Sequence, residues 1–367
     1  MISIDTIGRI PKVELHDHLD GGLRPQTIIE LAGKYGTDIP ARDPEALAAW
    51  FERGCMLKSL PLYLETFAVT TAVMQTQEAL ERIAYEAVLD WKKQNIVYGE
   101  IRFAPVLHTE KGLTYDEIVQ AVLKGLEQGK KDTGVHYGLI ICAMRNRSPQ
   151  TSLEMAALAV KYLGRGVVGF DIAGGEKGNP PEVHLEAFRL AHKGGARVTI
   201  HAGEACGCDS IRQAVMTCEA DRLGHGTSLA QDLVCRGPEI LETGELARYV
   251  KDRRITLEMC LSSNVGTGAV ASFAEHPFNL FLQNGFNVCL CTDNRLMSNT
   301  TLSKEMGIAA STWNLGLDDM ERISVNAMES AFIGEDGKRE LLENPIRKTF
   351  AEIRAESMDR GGANALD

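Results

Sequence analysis

The sequence predicts a (β/α)8 barrel (TIM barrel) with a helical insertion after its first strand and extra C-terminal helices. Three observations carry this reading. Eight short apolar runs are separated by amphipathic helical patterns. Most of the runs are near-continuous rather than alternating, as parallel strands covered on both faces require. No low-complexity tract or Pro/Gly-rich linker cuts the 367 residues, a length that one α/β barrel can take up. Residues 1–367 therefore read as a single domain, with a doubly wound open sheet as the runner-up architecture.

The first strand is Val13–His18, a β-branched and apolar run that ends in a polar turn. Leu23–Thr76 follows as a long helical excursion, which in a barrel falls on the C-terminal face and can act as a lid. The clearest helix is Glu78–Gln94, where Leu80, Ile83, Ala84, Ala87, Val88 and Trp91 recur at three-and-four spacing. The second strand is Ile96–Ala104. A helix over Thr114–Leu126 opens with Asp116 and Glu117, acids suited to a helix N-terminus. Strands Tyr137–Ala143 and Val167–Ile172 flank a helix over Ser152–Tyr162. Beyond them the reading alternates helix Glu182–His192, strand Arg197–His201, helix Asp209–Cys218 and strand Arg222–His225. Helix Glu239–Lys251 and strands Ile255–Met259 and Asn287–Thr292 complete the eight, and Leu302–Leu366 reads as helices packed outside the barrel.

Composition narrows the class. Charged residues are 24 % and apolar ones 44 %, a soluble globular profile, and no stretch approaches the roughly 20 apolar residues of a membrane span. The N-terminus has neither the basic region nor the apolar core of a secretory signal. Nine cysteines cannot all pair, and Cys142, Cys260, Cys289 and Cys291 lie in apolar runs; a reducing, cytoplasmic setting is expected. Cys206 and Cys208 are one residue apart, too close for a zinc knuckle, and have no partner pair. The net charge of −11 argues against nucleic acid or an anionic membrane as partner and leaves a small neutral molecule open.

His16-Asp17-His18 is the most informative motif. On a strand, positions i and i+2 face the same way, so two imidazoles point at one spot. In a barrel, side chains at the C-terminal ends of strands converge. His201 closes the fifth strand, His225 the sixth and Asp293 the eighth. Three imidazoles and one carboxylate make a plausible zinc shell with a position left for water, whose pKa the metal would bring down toward about 7. Glu204, three residues past His201, is placed as a proton shuttle or, more plainly, as a helix-capping acid. His225 is a fourth imidazole ligand, a group that orients the water, or a core histidine bonded to backbone. Asp293 has an N-cap as its plain reading. His108, His136, His184, His192 and His276 read as loop or helix-surface residues with no converging partner.

These residues resemble the adenosine deaminases, within the adenosine/AMP deaminase family of the amidohydrolase superfamily. The resemblance spans nearly the whole chain: His-Asp-His-Leu-Asp-Gly at 16–21, Arg82–Glu86, Tyr98–Pro105, Asp171–Glu176, His201–Glu204, Arg222–Gly226 and Thr292-Asp293. It implies one zinc ion per chain, held by His16, His18, His201 and Asp293. It implies that Glu204 protonates purine N1, that zinc-bound hydroxide attacks C6, and that His225 and Asp293 position the hydroxide. His18, Asp20, Gly174 and Asn294 would contact substrate: Gly174 through its backbone to purine N3, Asp20 at a ribose hydroxyl. Tyr63 and Phe67 resemble the apolar cover of the sugar pocket, or are core at helical spacing. The cytidine-type signature with Pro-Cys-x-x-Cys is missing.

One departure concerns the base. The family pattern has two successive aspartates where this chain has Asp293-Asn294, and the second must donate a proton to purine N7; an Asn amide is a donor without needing protonation. The implied activity is zinc-dependent hydrolysis of adenosine or 2′-deoxyadenosine to inosine or 2′-deoxyinosine plus ammonia, in purine salvage. The alternatives are another aminopurine substrate (adenine, a 5′-modified adenosine or 6-aminodeoxyfutalosine) or a catalytically silent barrel that binds nucleoside or zinc.

Overall fold

The computed structural model describes residues 2–363. Eight parallel strands form one sheet: β1 (Lys12–His18), β2 (Ile96–Phe103), β3 (His136–Met144), β4 (Val167–Ala173), β5 (Arg197–Ala202), β6 (Arg222–His225), β9 (Thr256–Met259) and β10 (Val288–Leu290), adjacent in that order. Between β6 and β9 lies a separate antiparallel hairpin, β7 (Leu233–Arg236) and β8 (Glu239–Thr243). The strand interiors are almost wholly buried, which explains their unbroken apolar character.

The sheet closes where β1 meets the segment just past β10. Backbone N–H of His18 donates to Asp293 O and that of Asp293 to His16 O, each at 2.7 Å. Asp17 and Asp293 thereby form a parallel bridge. This completes the expected (β/α)8 barrel. The seam itself fixes the backbone of three of the residues expected to hold metal.

The insertion is helical as expected, with Pro25–Tyr35, Pro44–Cys55, Leu60–Glu65 and Phe67–Val73 preceding the first barrel helix, Gln77–Lys93. The C-terminal helices are Leu302–Trp313, Leu317–Ser330, Glu335–Leu341 and Lys348–Ala363; residues 364–366 of the expected tail lie outside the described residues. No helix among the described residues is long and apolar enough to cross a membrane.

Two helices differ from expectation. The helix read over Glu239–Lys251 is strand β8 followed by a shorter helix, Glu245–Asp252. Gly237-Pro238 makes the turn that precedes β8, and the hairpin is largely exposed, so it has none of the apolar continuity that marks the barrel strands. The helix begun at Thr114 runs on to Thr133, with Thr114 and Glu117 bonded reciprocally at its start.

Candidate active site

His16 and His18 project inward from β1, while Asp17 points away. The Asp17 carboxylate accepts from Trp91 Nε1 and pairs with Arg295, both at 2.8 Å. His201 stands at the end of β5 and His225 at the end of β6, where Ala202 and His225 are register partners. His225 and Asp293 both have left-handed backbone, with φ of 66° and 60°. Such conformations cost of order 1–3 kcal/mol and persist where surrounding structure imposes them, often at functional sites.

One atom each of His16, His18, His201 and Asp293 fall within 4.8 Å of one another. His18 Nε2 is 3.1 Å from His201 Nε2, and Asp293 Oδ1 is 3.4 Å from Nε2 of both His16 and His18. Four ligands about 2.0–2.1 Å from one ion in a tetrahedron stand about 3.3–3.4 Å apart, so the spacing suits a metal. The Nδ1 atoms show which ring nitrogens are free. His16 Nδ1 donates to Glu258 at 2.8 Å, and His201 Nδ1 lies 3.1 Å from Asp171. Each Nε2 therefore carries a lone pair toward the cluster, and His16 Nε2 is buried with no hydrogen-bond partner. Buried lone pairs facing each other and a carboxylate call for a cation. The four residues could hold a metal ion.

Behind the ligands, Arg102 bonds Asp171 at 2.8 Å and Glu258 at 2.9 Å, and Arg222 bonds Glu258 at 2.7 Å and Glu100 at 2.6 Å. Burial alone would raise the Glu258 carboxyl, but Arg102 and Arg222, with His16, outweigh it and hold the group well below its ordinary range. Asp293 Oδ2 accepts from Ser263 Oγ at 2.6 Å, leaving Oδ1 toward the cluster.

Glu204 lies beside the cluster, its carboxylate 3.7 Å from His225 Nε2. Burial, reinforced by the charge of Asp293, raises its pKa to about 7, so a protonated carboxyl is present near neutral pH. The loop that carries it is pinned by Glu176, which takes the backbone N–H groups of Gly203, Glu204, Ala205 and Cys206 on its two oxygens. Burial likewise raises Asp20 to about 7 and lowers His225 to about 4.

His18, His201, Glu204, His225 and Asp293 open onto a cavity of about 260 Å³ that also touches Asp20, Gly174 and Asn294. The lid helices supply Leu60, Tyr63, Leu64 and Phe67; β3 and the turn after β2 supply Cys142, Met144 and Leu107. Tyr63 and Phe67 thus line the cavity, although Tyr63 is also buried. No lysine or arginine lines it among the described residues. Gly174 has φ of 101° and presents its backbone to the cavity at the end of β4, a conformation that only glycine adopts readily. Gly21 is required for a different reason: a Cβ there would lie 1.9 Å from Asn294 Oδ1. A larger polar depression of about 690 Å³, lined by Arg197, Arg222 and Thr256, lies where strands β5, β6 and β9 begin, away from the ligand cluster.

Sequence reasoning missed the second rank of groups. Glu258, Arg102 and Glu100 gave no motif signal of their own, although Glu100 and Arg102 lie in a quoted block. His108, His184 and His276 are buried rather than on loop or helix surfaces, and His276 Nε2 is 3.1 Å from Asn264 Oδ1. A His-Pro pair at the start of the Phe278–Gln283 helix was the available signal for the last.

A family model described as adenosine deaminase matches residues 11–348. Curated relatives named adenosine deaminase include one from Mycobacterium marinum, 48 % identical over 357 residues, covering 96 % of this chain and 98 % of the relative. Another, from Mycobacterium avium, is 48 % identical over 360 residues, covering 95 % and 98 %. Among solved structures, adenine deaminase from Arthrobacter aurescens superposes with a TM-score of 0.83 at 24 % identity, covering 94 % of this chain and 99 % of that one. An amidohydrolase from Burkhoderia ambifaria with bound Zn gives 0.83 at 24 %, covering 97 % and 96 %. At such identity the structures share the fold, whereas the family match and the curated relatives extend over nearly the whole sequence. The chain belongs to the adenosine deaminase family.

Proposed function

We propose that this protein hydrolyses the 6-amino group of adenosine and 2′-deoxyadenosine, giving inosine or 2′-deoxyinosine and ammonia, with one zinc ion held by His16, His18, His201 and Asp293. The observation that carries it is the buried Glu204 carboxyl, 3.7 Å from His225 Nε2, beside a cluster of three imidazoles and a carboxylate at the end of a nucleoside-sized cavity. The curated relatives named adenosine deaminase support the substrate. Zinc bound there supplies a Lewis acid and brings the pKa of a water toward about 7.

The residues of the chain do the rest. Glu204 gives its proton to purine N1, which drains electron density from C6 and opens it to attack by water oxygen. Its carboxylate then takes one proton from the attacking water and passes it to the departing amine, and it is reprotonated by the second as the C6 oxygen becomes a carbonyl, so that ammonia leaves neutral and the carboxyl is restored. His225 Nε2 faces the attacking oxygen. Gly174 N–H reaches purine N3, Asn294 Nδ2 donates to N7, and Asp20 accepts a ribose hydroxyl. His18 sits at the boundary between metal and substrate. Among the described residues the cavity offers no lysine or arginine for a 5′-phosphate, which favours nucleosides over nucleotides. Nine free cysteines support a reducing, cytoplasmic setting.

The test is zinc-loaded protein assayed by ultraviolet absorbance on adenosine, deoxyadenosine, adenine and AMP. Adenosine and deoxyadenosine are expected to turn over best, and Glu204→Gln to lower kcat by about 10²–10⁴ with zinc content unchanged. Failure to deaminate either nucleoside, or faster turnover of AMP or adenine, overturns the assignment.

A further inference from the structure

His225 is tied to a chain of buried hydrogen bonds whose direction is fixed at its far end. The backbone N–H of Phe278 donates to His276 Nδ1 at 3.1 Å. A peptide N–H can only donate, so Nδ1 of His276 is an acceptor and its neutral ring carries the proton on Nε2. That Nε2–H meets Asn264 Oδ1 at 3.1 Å. The oxygen of the amide is thereby committed, and its Nδ2, which can only donate, meets His225 Nδ1 at 3.0 Å. Nδ1 of His225 must accept. The remaining proton of a neutral His225 lies on Nε2, the nitrogen that faces Glu204 and the cavity.

All three side chains are buried, at 3 % exposure for His276, 0 % for Asn264 and 1 % for His225, so water is not at hand to repair a mismatch. Burial pushes the His276 pKa down to about 3, which keeps its ring neutral. The opposite tautomer of His225 would need Asn264 turned over. Its NH2 would then oppose His276 Nε2–H, and reversing His276 would oppose Nδ1–H to the Phe278 amide. Every way of placing a proton on His225 Nδ1 leaves two buried donors facing each other.

We propose that His276 and Asn264 are positioning residues that lock His225 as the Nε2–H tautomer, making it a hydrogen-bond donor to the attacking oxygen rather than the base that takes up its proton. The catalytic part of this rests on the deaminase reading above; the tautomer assignment does not. Donors aimed at developing charge in a dry site are worth a factor of about 10²–10³ each, so a lost tautomer is a large effect. His276→Gln keeps a donor at the place of Nε2, whereas His276→Phe keeps the ring volume and removes it.

The experiment is ¹⁵N NMR of histidine-labelled protein, with and without zinc, paired with kcat and KM for adenosine. The expected spectrum has His225 Nδ1 unprotonated and Nε2 protonated in the wild type and in His276→Gln, and a mixture of tautomers in His276→Phe. The expected kinetics are a kcat fall of about tenfold or more in His276→Phe with KM held, restored largely by His276→Gln. A wild-type spectrum with the proton on Nδ1 overturns the proposal whether or not either variant folds. So does a single Nε2–H tautomer that survives in His276→Phe. A protein that leaves adenosine unchanged but shows the expected spectra refutes the deaminase reading and the catalytic part only.

Discussion

Glu176→Gln tests how the loop bearing Glu204 is held. The carboxylate accepts Gly203 N–H at 2.7 Å on Oε1 and the N–H groups of Glu204, Ala205 and Cys206 at 3.1, 2.6 and 2.8 Å on Oε2. A glutamine has one oxygen for the two sites. Its best placement keeps that oxygen under the three N–H groups and turns its NH2 against Gly203 N–H, donor to donor. An unsatisfied buried N–H costs about 1–3 kcal/mol, and three bonds falling from charge-assisted to neutral lose about 1 kcal/mol each. Cys206 is partly exposed, so water recovers some of this, and about 2–4 kcal/mol remains. If half of that appears as displacement of Glu204, kcat falls roughly 5- to 30-fold. None of the four residues of the metal cluster bonds to Glu176, so zinc content should hold. The assay is kcat on adenosine with metal analysis and a thermal melt. Wild-type kcat and melting temperature in Glu176→Gln would refute the reasoning, because four backbone donors would then not depend on that charge.

Asp293→Asn should weaken zinc binding sharply, read by metal analysis of the purified protein; an unchanged zinc content counts against Asp293 as one of the residues that hold the ion. Lys12, buried with its ammonium on Ile10 O and Gln94 O at 2.9 Å, has its pKa lowered by burial from 10.5 to about 7. The unfolded chain then binds more protons between about pH 7 and 10.5, so stability rises with pH across that window and the full penalty applies below it. At about 1.36 kcal/mol per unit this is on the order of 5 kcal/mol, and Lys12→Met should flatten the urea-measured slope there. An unchanged slope in the variant refutes the assignment.

The parts of the site that were legible in the sequence are those governed by local rules. His16 and His18 follow from strand periodicity, and His201, His225 and Asp293 from the rule that barrel strand ends converge. The groups that aim them were not legible. Glu258 meets His16 across the barrel, 242 residues away in sequence, and Asn264 meets His225 from the helix after β9. Those pairings depend on strand register and barrel closure, which no local pattern encodes. His276 was misread for the same reason: a single histidine before a proline looks like a loop residue until a separate element covers it. The hairpin β7–β8 failed differently, since an exposed pair of strands has no buried face to print an alternation on the sequence.

The buried charges around the ligands bear on the ion itself. Asp171, Arg102, Glu258, Arg222 and Glu100 form one connected network, joined to the metal cluster through His16 and His201. With Asp293 it holds four carboxylates against two guanidiniums, an excess of two negative charges in a dry barrel. Buried ion pairs seldom stabilise a fold by themselves, and an uncompensated buried charge is costly. Their use here is orientation: Glu258 and Asp171 each take an Nδ1–H and so leave Nε2 of His16 and His201 as lone pairs. Imidazoles that offer Nε2 lone pairs to a metal bring no positive charge of their own to cancel the excess. A divalent cation among the Nε2 atoms and Asp293 Oδ1 cancels it, whereas a monovalent one leaves half. The carboxylates that aim the ligands would therefore also favour a divalent ion at this site, which would tie metal preference to the barrel core and not only to the atoms in contact with the metal.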